Sequence, residues 1–386
     1  AFLAGIATGF FVGAKYLGLL FAAAAGFTML MGAKKFKQSM IFSIGVIIAG
    51  SQWYVWNWIH TGDPIFPFLI GNFGIGDRSL WPDGFHQWFN AGFKVPENAV
   101  PPNLFWFLVY PLQATFNGFP IFESGRTGLG PLIVLILPLA FFGMWQFRER
   151  IAESPLLPIF LIGLLFYTLW FFTGASQRIR HLVPVYPLIA VPIIVAAVRC
   201  AESAKYMKVL VAATLITILI QIGGHSLFTL DFMRYVFSDE RRDAYLQRNV
   251  PLYNAVVILN DVIGRGERVM ITNRHLAYHL NQSYFVGHRS DQALVDLRET
   301  SFNPQNFLYQ LEQNGITHIL IVGRINKTSL PKTMESLIPV LVKSGCGVLS
   351  KSFMLSNFSS RTLRLNLDTK IPGQILKITN YNCVFG

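Results

Sequence analysis

Seven stretches of the chain are apolar enough, in varying degree, to read as membrane helices: about 1–14, 16–32, 39–59, 128–147, 156–173, 181–198 and 209–228. A hydrocarbon core of about 30 Å takes about 20 residues of helix, or fewer where polar ends snorkel, so the pattern predicts membrane segments. Runs such as PLIVLILPLAFFGMW lack the polar stripe that a long soluble helix keeps. Gly and Pro inside these runs are tolerated in a bilayer because neighbouring helices satisfy the freed backbone groups. Ala1 falls inside the first run, so the chain reads as a fragment whose first segment is cut short.

From about 229 the pattern changes. Short apolar runs, RVMIT (268–272), SYFVG (283–287) and THILIV (317–322), predict strands. NPQNFLYQLEQNG and SLPKTMESLIPVLVKSG predict amphipathic helices that stop at Gly315 and Gly345. The expected fold class is therefore an α-helical polytopic membrane protein, residues 1–228, followed by a C-terminal soluble α/β domain, residues 229–386.

Composition sharpens this picture. The 386 residues are 52% hydrophobic and 13% charged, with a mean hydropathy of +0.43, which excludes a disordered chain or an ordinary soluble enzyme. Lys and Arg total 32 against 20 Asp and Glu, a net charge of +12. Part of the excess follows topology: Lys34, Lys35 and Lys37, then Arg148 and Arg150, then Arg199, Lys205 and Lys208 fall on one side if the segments alternate. That side is cytoplasmic by the positive-inside rule. The opposite side receives the loop 60–127, with Arg78, Lys94 and Arg126 against Asp63, Asp77, Asp83, Glu97 and Glu123, and everything after 228. This orientation puts the soluble domain on the periplasmic or equivalent face of the plasma membrane. Trp53, Tyr54, Trp56 and Trp58 sit where the third segment leaves the bilayer and read as an interfacial belt. No basic stripe with interleaved aromatics occurs, so nucleic acid is not an expected partner.

Motifs of soluble chemistry are missing: no GxxxxGK[ST], GxGxxG after a strand, HExxH or GxSxG occurs. His275 and His279, spaced i, i+4, lack a third ligand and read as a surface pair, so no metal site is expected. Asn281, Asn326 and Asn357 begin sequons that matter only in a eukaryote. Of the three cysteines, Cys200, Cys346 and Cys383, only a Cys346–Cys383 bridge is open, and only in an oxidising compartment.

Three constellations remain at the exported surface. GFFVGAKYLGLL puts Lys15 at a corner between two apolar segments, and WNWIHTGDPIFPF puts His60 and Asp63 in a Pro-bounded turn. TGASQRIRHLVPVYP crowds Arg178, Arg180 and His181 at the mouth of the sixth segment. Each has a plainer explanation: a lysine snorkels to headgroups, and Thr-Gly-Asp-Pro is turn chemistry. Cations on the non-cytoplasmic face nevertheless oppose the topological trend. Phosphate would account for them, since Arg offers a planar fork of donors and Lys a compact charge.

The order GAKYLGLL, TGDPIFPF, GLGPLIVLILPL, SQRIRHLVPVYPL resembles the GT-C superfamily of membrane glycosyltransferases over about 1–228. Within it the chain is similar to the bacterial family 39-like branch, relatives of protein O-mannosyltransferases and the lipid A aminoarabinose transferase. The resemblance implies inverting transfer of a sugar from a polyprenyl-phosphate donor to a lipid, glycan or protein acceptor on the periplasmic face. By that resemblance Lys15 and Arg178 or Arg180 contact the donor phosphate; His60, Asp63 and His181 are the candidates for the substrate cavity. No cofactor is implied, and a divalent-metal requirement is left open. The family's catalytic carboxylate follows its first membrane helix; nothing here corresponds to it, so it is expected upstream of Ala1. Asp63 stands where relatives commonly carry Asn, and its Pro-bounded turn favours capping over catalysis. Two other readings stay open: a transporter or flippase of lipid-linked sugars, which would also need exported-side cations and Pro-broken helices, and a non-catalytic presenter of them.

Overall fold

The computed structural model describes the chain except for residues 33–34, 94–99, 117–128, 175–176, 203, 289–290, 299–302, 324–331, 359–367 and 384–386. Lys34, Lys94, Glu97, Glu123, Arg126 and the Asn326 sequon lie outside the described residues. The chain forms two units, Ala1–Gly76 with Phe93–Met233, and Asp77–Gly92 with Arg234–Gly386. Sequence alone suggested one boundary near 228; here residues 77–92, inside the expected exported loop, group with the second unit.

The first unit is helical. Its elements are α1 (Phe2–Ala14), α2 (Leu17–Leu30), α3 (Lys35–Thr61) and α4 (Phe68–Phe73). After α5 (Phe85–Phe93), which belongs to the second unit except for Phe93, come α6 (Leu104–Phe116), α7 (Leu132–Gln146), α8 (Arg148–Ile151), α9 (Leu156–Thr173), α10 (Tyr186–Cys200) and α11 (Ala204–Val236). Among the described residues three helices are long and apolar enough to cross a membrane, over Phe36–Thr61, Leu156–Thr173 and Tyr206–Ser226. The apolar α1, α2, α6, α7 and α10 are shorter; at 1.5 Å per residue each spans roughly 20 Å. Seven spanning segments were expected from hydropathy, so the length criterion is met by fewer. α6, with Pro111 inside it, is an apolar helix where the sequence suggested only loop.

Small residues decide how these helices meet. A Cβ on Gly5 would overlap the Phe42 carbonyl, and one on Gly9 would collide with Ala49 and the Val46 carbonyl. α1 therefore lies directly along α3, both running the same way, as small-xxx-small faces pack in membranes. α9 carries the centre of the unit: Phe166, Tyr167, Trp170 and Phe171 pack with Ala24 of α2 and with Tyr110 and Ala114 of α6.

The second unit contains α12 (Arg242–Asn249), α13 (Tyr253–Val262), β1 (Arg268–Ile271), β2 (Ser283–Val286), α14 (Pro304–Gln313), β3 (His318–Val322), α15 (Lys332–Lys343), β4 (Gly347–Phe358) and β5 (Asp368–Ile378). The sheet order is β2-β1-β3-β5-β4. β1 is parallel to β2 and β3, and β5 is antiparallel to β3 and β4. Alternation along the strands builds two cores. Val269, Ile271, Leu320, Val322 and Ile375 face Val256 and Leu259 of α13, while Met270, Ile319, Ile321 and Leu376 face Phe307 and Leu311 of α14 and Leu337 and Leu341 of α15. Each such buried aliphatic contributes about 1.5–3 kcal/mol. Gly315 and Gly345, at φ 62° and 75°, take the left-handed conformation that ends α14 and α15.

Two ties complete this unit. Cys346 and Cys383, 37 residues apart, form a disulfide inside the α14–α15 core. The Arg298 guanidinium donates to Asp296 at 2.9 and 2.7 Å and to the Asp83 carbonyl at 2.5 Å, and Trp88 packs on the same core. Residues 77–92 are thus built into the sheet unit.

Candidate functional site

The apolar run that begins in α1 breaks at Lys15, whose backbone is extended while its N–H still donates to the Phe11 carbonyl at 3.1 Å. α2 folds back at once because Gly18 has no Cβ to strike the Phe11 and Val12 backbone. Lys15 is exposed on this corner.

The next residue fixes the corner to its surroundings. The Tyr16 hydroxyl donates to the Phe66 carbonyl at 2.5 Å and accepts from Asn57 Nδ2 at 3.1 Å. Tyr54 donates to the Val12 carbonyl at 3.0 Å. Asn57, 4% exposed, is a buried polar residue in the otherwise apolar third segment. Thr61 Oγ1 donates to the Asn57 carbonyl at 2.8 Å and accepts from the Asp63 N–H at 3.1 Å. These groups join the end of α3, the turn 62–67 and the Lys15 corner into one hydrogen-bonded network.

Asp63 is wholly buried in that network. Its Oδ1 accepts from the Ile65 N–H at 2.9 Å and its Oδ2 from the Ile70 N–H at 3.0 Å. Both carboxylate oxygens hold backbone, one in the turn and one at the start of α4. His60 is exposed on the last turn of α3 and packs at a tilt against Trp56, with ring centroids 4.3 Å apart, and Trp56 in turn stacks on Trp53 at 5.3 Å.

The arginine-rich motif forms a tight turn between α9 and α10, with a 3₁₀ segment at Ile179–His181. Ile179 is fully buried. It shares an apolar cluster with Leu182 and with Leu17 and Leu20 from the first turn of α2. Arg178 and His181 are half-buried and Arg180 is exposed. The Lys15 corner and the 60–67 turn are thus joined directly by hydrogen bonds, and the 178–181 turn is rooted in the cluster that α2 enters just after Lys15.

Tyr16 and Asn57 were not singled out from the sequence, and Tyr54 was read only as part of the interfacial belt. The available signal was Asn57 itself, a polar residue within an apolar run; its neighbouring tryptophans drew the motif into the interfacial-belt reading instead.

Among the described residues no group of three or more His, Cys, Asp or Glu could hold a metal ion. His275 and His279 serve packing: His275 Nε2 lies 3.0 Å from the Pro251 carbonyl, and His279 meets the Tyr253 ring edge-on at 5.4 Å. A shallow trough along α11 is lined by Thr217, Gln221, His225 and Thr229 with their apolar neighbours; one helix supplies all its walls. No protein-family model, no curated protein and no solved structure matches this chain.

Proposed function

We propose that this chain is a multi-pass plasma-membrane glycosyltransferase of the GT-C type whose described residues hold the donor phosphate. It transfers a hexose or pentose from a polyprenyl-phosphate donor to a lipid, glycan or protein acceptor on the extracytoplasmic face. The observation that carries the reading is that the Lys15 corner is hydrogen-bonded to the TGDPIFPF turn and, through Leu17 and Leu20, enters the apolar cluster in which the arginine turn is rooted, more than a hundred residues away in sequence.

In this reading the acceptor hydroxyl attacks the anomeric carbon while a carboxylate takes its proton. The bond from that carbon to the phosphate oxygen breaks, and its electron pair leaves with the lipid phosphate. Lys15, Arg178 and Arg180 stabilise the charge that develops there. Asp63 is a poor choice for the base, because its oxygens already hold two backbone N–H groups; no residue of this chain is assigned that role. His60 and His181 border the cavity for the sugar. The Cys346–Cys383 disulfide supports an oxidising, extracytoplasmic setting for the sheet unit.

Membranes containing the protein, supplied with radiolabelled polyprenyl-phosphate sugars, test the proposal. Label moving onto an acceptor is the expected result. Label that crosses the bilayer still attached to its lipid assigns the protein to transport instead.

A further inference from the structure

We propose that Gln177 is a positioning residue that sets the aim of Arg178 and Arg180 by pairing, as a peptide group would, with Val100. This inference rests on the donor-phosphate reading of the two arginines.

A side-chain amide has the same donor and acceptor as a backbone peptide. Here the Gln177 amide uses both on one residue: Val100 N–H donates to Oε1 at 3.0 Å, and Nε2 donates to the Val100 carbonyl at 3.1 Å. This reciprocal pair is the one that two opposed residues exchange in an antiparallel ladder. The pairing spans 77 residues of sequence.

The Gln177 backbone is held separately. Its carbonyl accepts from the Tyr110 hydroxyl at 2.5 Å. Tyr110 is fully buried, with its ring edge-on to Trp170 and Phe171. Two residues on, Ile179 is fully buried. Arg178, half-buried and with extended backbone, lies between these anchors. The His181 N–H donates to the Arg178 carbonyl at 3.0 Å, which closes the turn and carries Arg180 outward. The Gln177 side chain thus reaches another segment by two bonds, directly beside Arg178.

A glutamine that merely satisfied a loop would affect folding alone. One that aims the arginines affects phosphate binding only while those arginines are present. The test is a double-mutant cycle on the full chain in nanodiscs, with undecaprenyl phosphate as the probe, binding followed by tryptophan fluorescence, and thermal unfolding as the check on fold. Gln177→Leu, which removes both bonds at similar size, is expected to weaken binding about tenfold in the native background. In the Arg178→Ala/Arg180→Ala background the same change is expected to leave the remaining affinity unaltered. Val100→Pro, which removes only the N–H, is expected to give a smaller loss that does not add to that of Gln177→Leu. Equal losses in both backgrounds, or no loss in the native one, overturn the positioning role. If undecaprenyl phosphate does not bind the native protein at all, the donor-phosphate reading falls and this role falls with it; binding that depends on the arginines and not on Gln177 overturns this role alone.

Discussion

Asn57 and Tyr16, 41 residues apart, are joined by a 3.1 Å hydrogen bond from Asn57 Nδ2 to the tyrosine hydroxyl, and that hydroxyl passes the link on to the Phe66 carbonyl. The bond is the hinge pin of the corner that carries Lys15. Tyr16→Phe removes both partners at once and leaves a buried amide short of an acceptor, at a cost of about 1–3 kcal/mol. Asn57→Leu is expected to be milder for folding, because no buried amide is left behind, and to loosen the Lys15 corner less, because the Tyr16–Phe66 bond remains. Unfolding in detergent, compared with phosphate binding by the two variants, separates these effects.

The α1–α3 contact leaves no room for side chains at Gly5 and Gly9. Gly5→Val or Gly9→Leu is expected to force the helices apart and to destabilise the first unit by about 1–3 kcal/mol. Gly26, around which nothing lies within 4 Å, serves as the control. Gly26→Ala is expected to be neutral or slightly stabilising by the same unfolding assay.

Acid weakens the sheet unit. Burial holds the imidazoles of His86, His279 and His318 below the ordinary histidine value of 6.5; at His279 the charges of Arg242 and His275 add to this, and at His318 the nearby Glu267 carboxylate opposes it. Each group binds its proton more readily unfolded than folded. Their contribution is therefore complete above about pH 6.5 and is lost as the pH falls below that toward the folded-state values. Unfolding of the protein measured from pH 7.5 to pH 5 is expected to show falling stability, and His318→Gln is expected to flatten the slope. A flat native profile would sink this assignment.

The Cys346–Cys383 bridge closes 37 residues of chain that hold β4 and β5. Chain-entropy arithmetic gives about 4 kcal/mol for such a loop. Reduction, or Cys346→Ser with Cys383→Ser, is expected to lower the unfolding midpoint of the sheet unit and leave that of the helical unit unchanged. Two-transition calorimetry with and without reductant checks this.

The periodicity of the chain was a good guide where one face of an element does one job. β1, β2, β3, α14 and α15 begin and end within a few residues of the runs that suggested them: α14 and α15 each bury one apolar face, and β1 and β3 are apolar throughout because both faces of the sheet are covered. β4 and β5 were not legible. Their runs mix Ser, Lys and Asn with apolar residues, and β5 contains Pro372 and Gly373, which read as strand breakers. Pairing resolves that conflict: Gly373 sits opposite Phe353, whose ring fills the space a side chain would take. Membership of residues 77–92 in the sheet unit was hidden too, because it depends on Arg298 reaching Asp83 across 215 residues. At the candidate site the charged residues stood out in sequence, since charge in an apolar surrounding is conspicuous. The neutral groups that hold them, Asn57, Tyr16 and Gln177, did not, because a hydrogen bond between distant segments leaves no local pattern.

The central claim is that Lys15, Arg178 and Arg180 act together on a departing lipid phosphate. Sugar transfer by the protein in membranes, from a radiolabelled polyprenyl-phosphate donor, is the most direct measurement, with Lys15→Ala and Arg178→Ala/Arg180→Ala compared at equal folded amounts. Loss of a well-aimed donor to a developing oxyanion costs about 3 kcal/mol, roughly a hundredfold in rate, and each variant is predicted to show a fall of at least that order. Lysine and arginines that only met lipid headgroups would leave the rate within about twofold of the native protein, and that result would contradict the account.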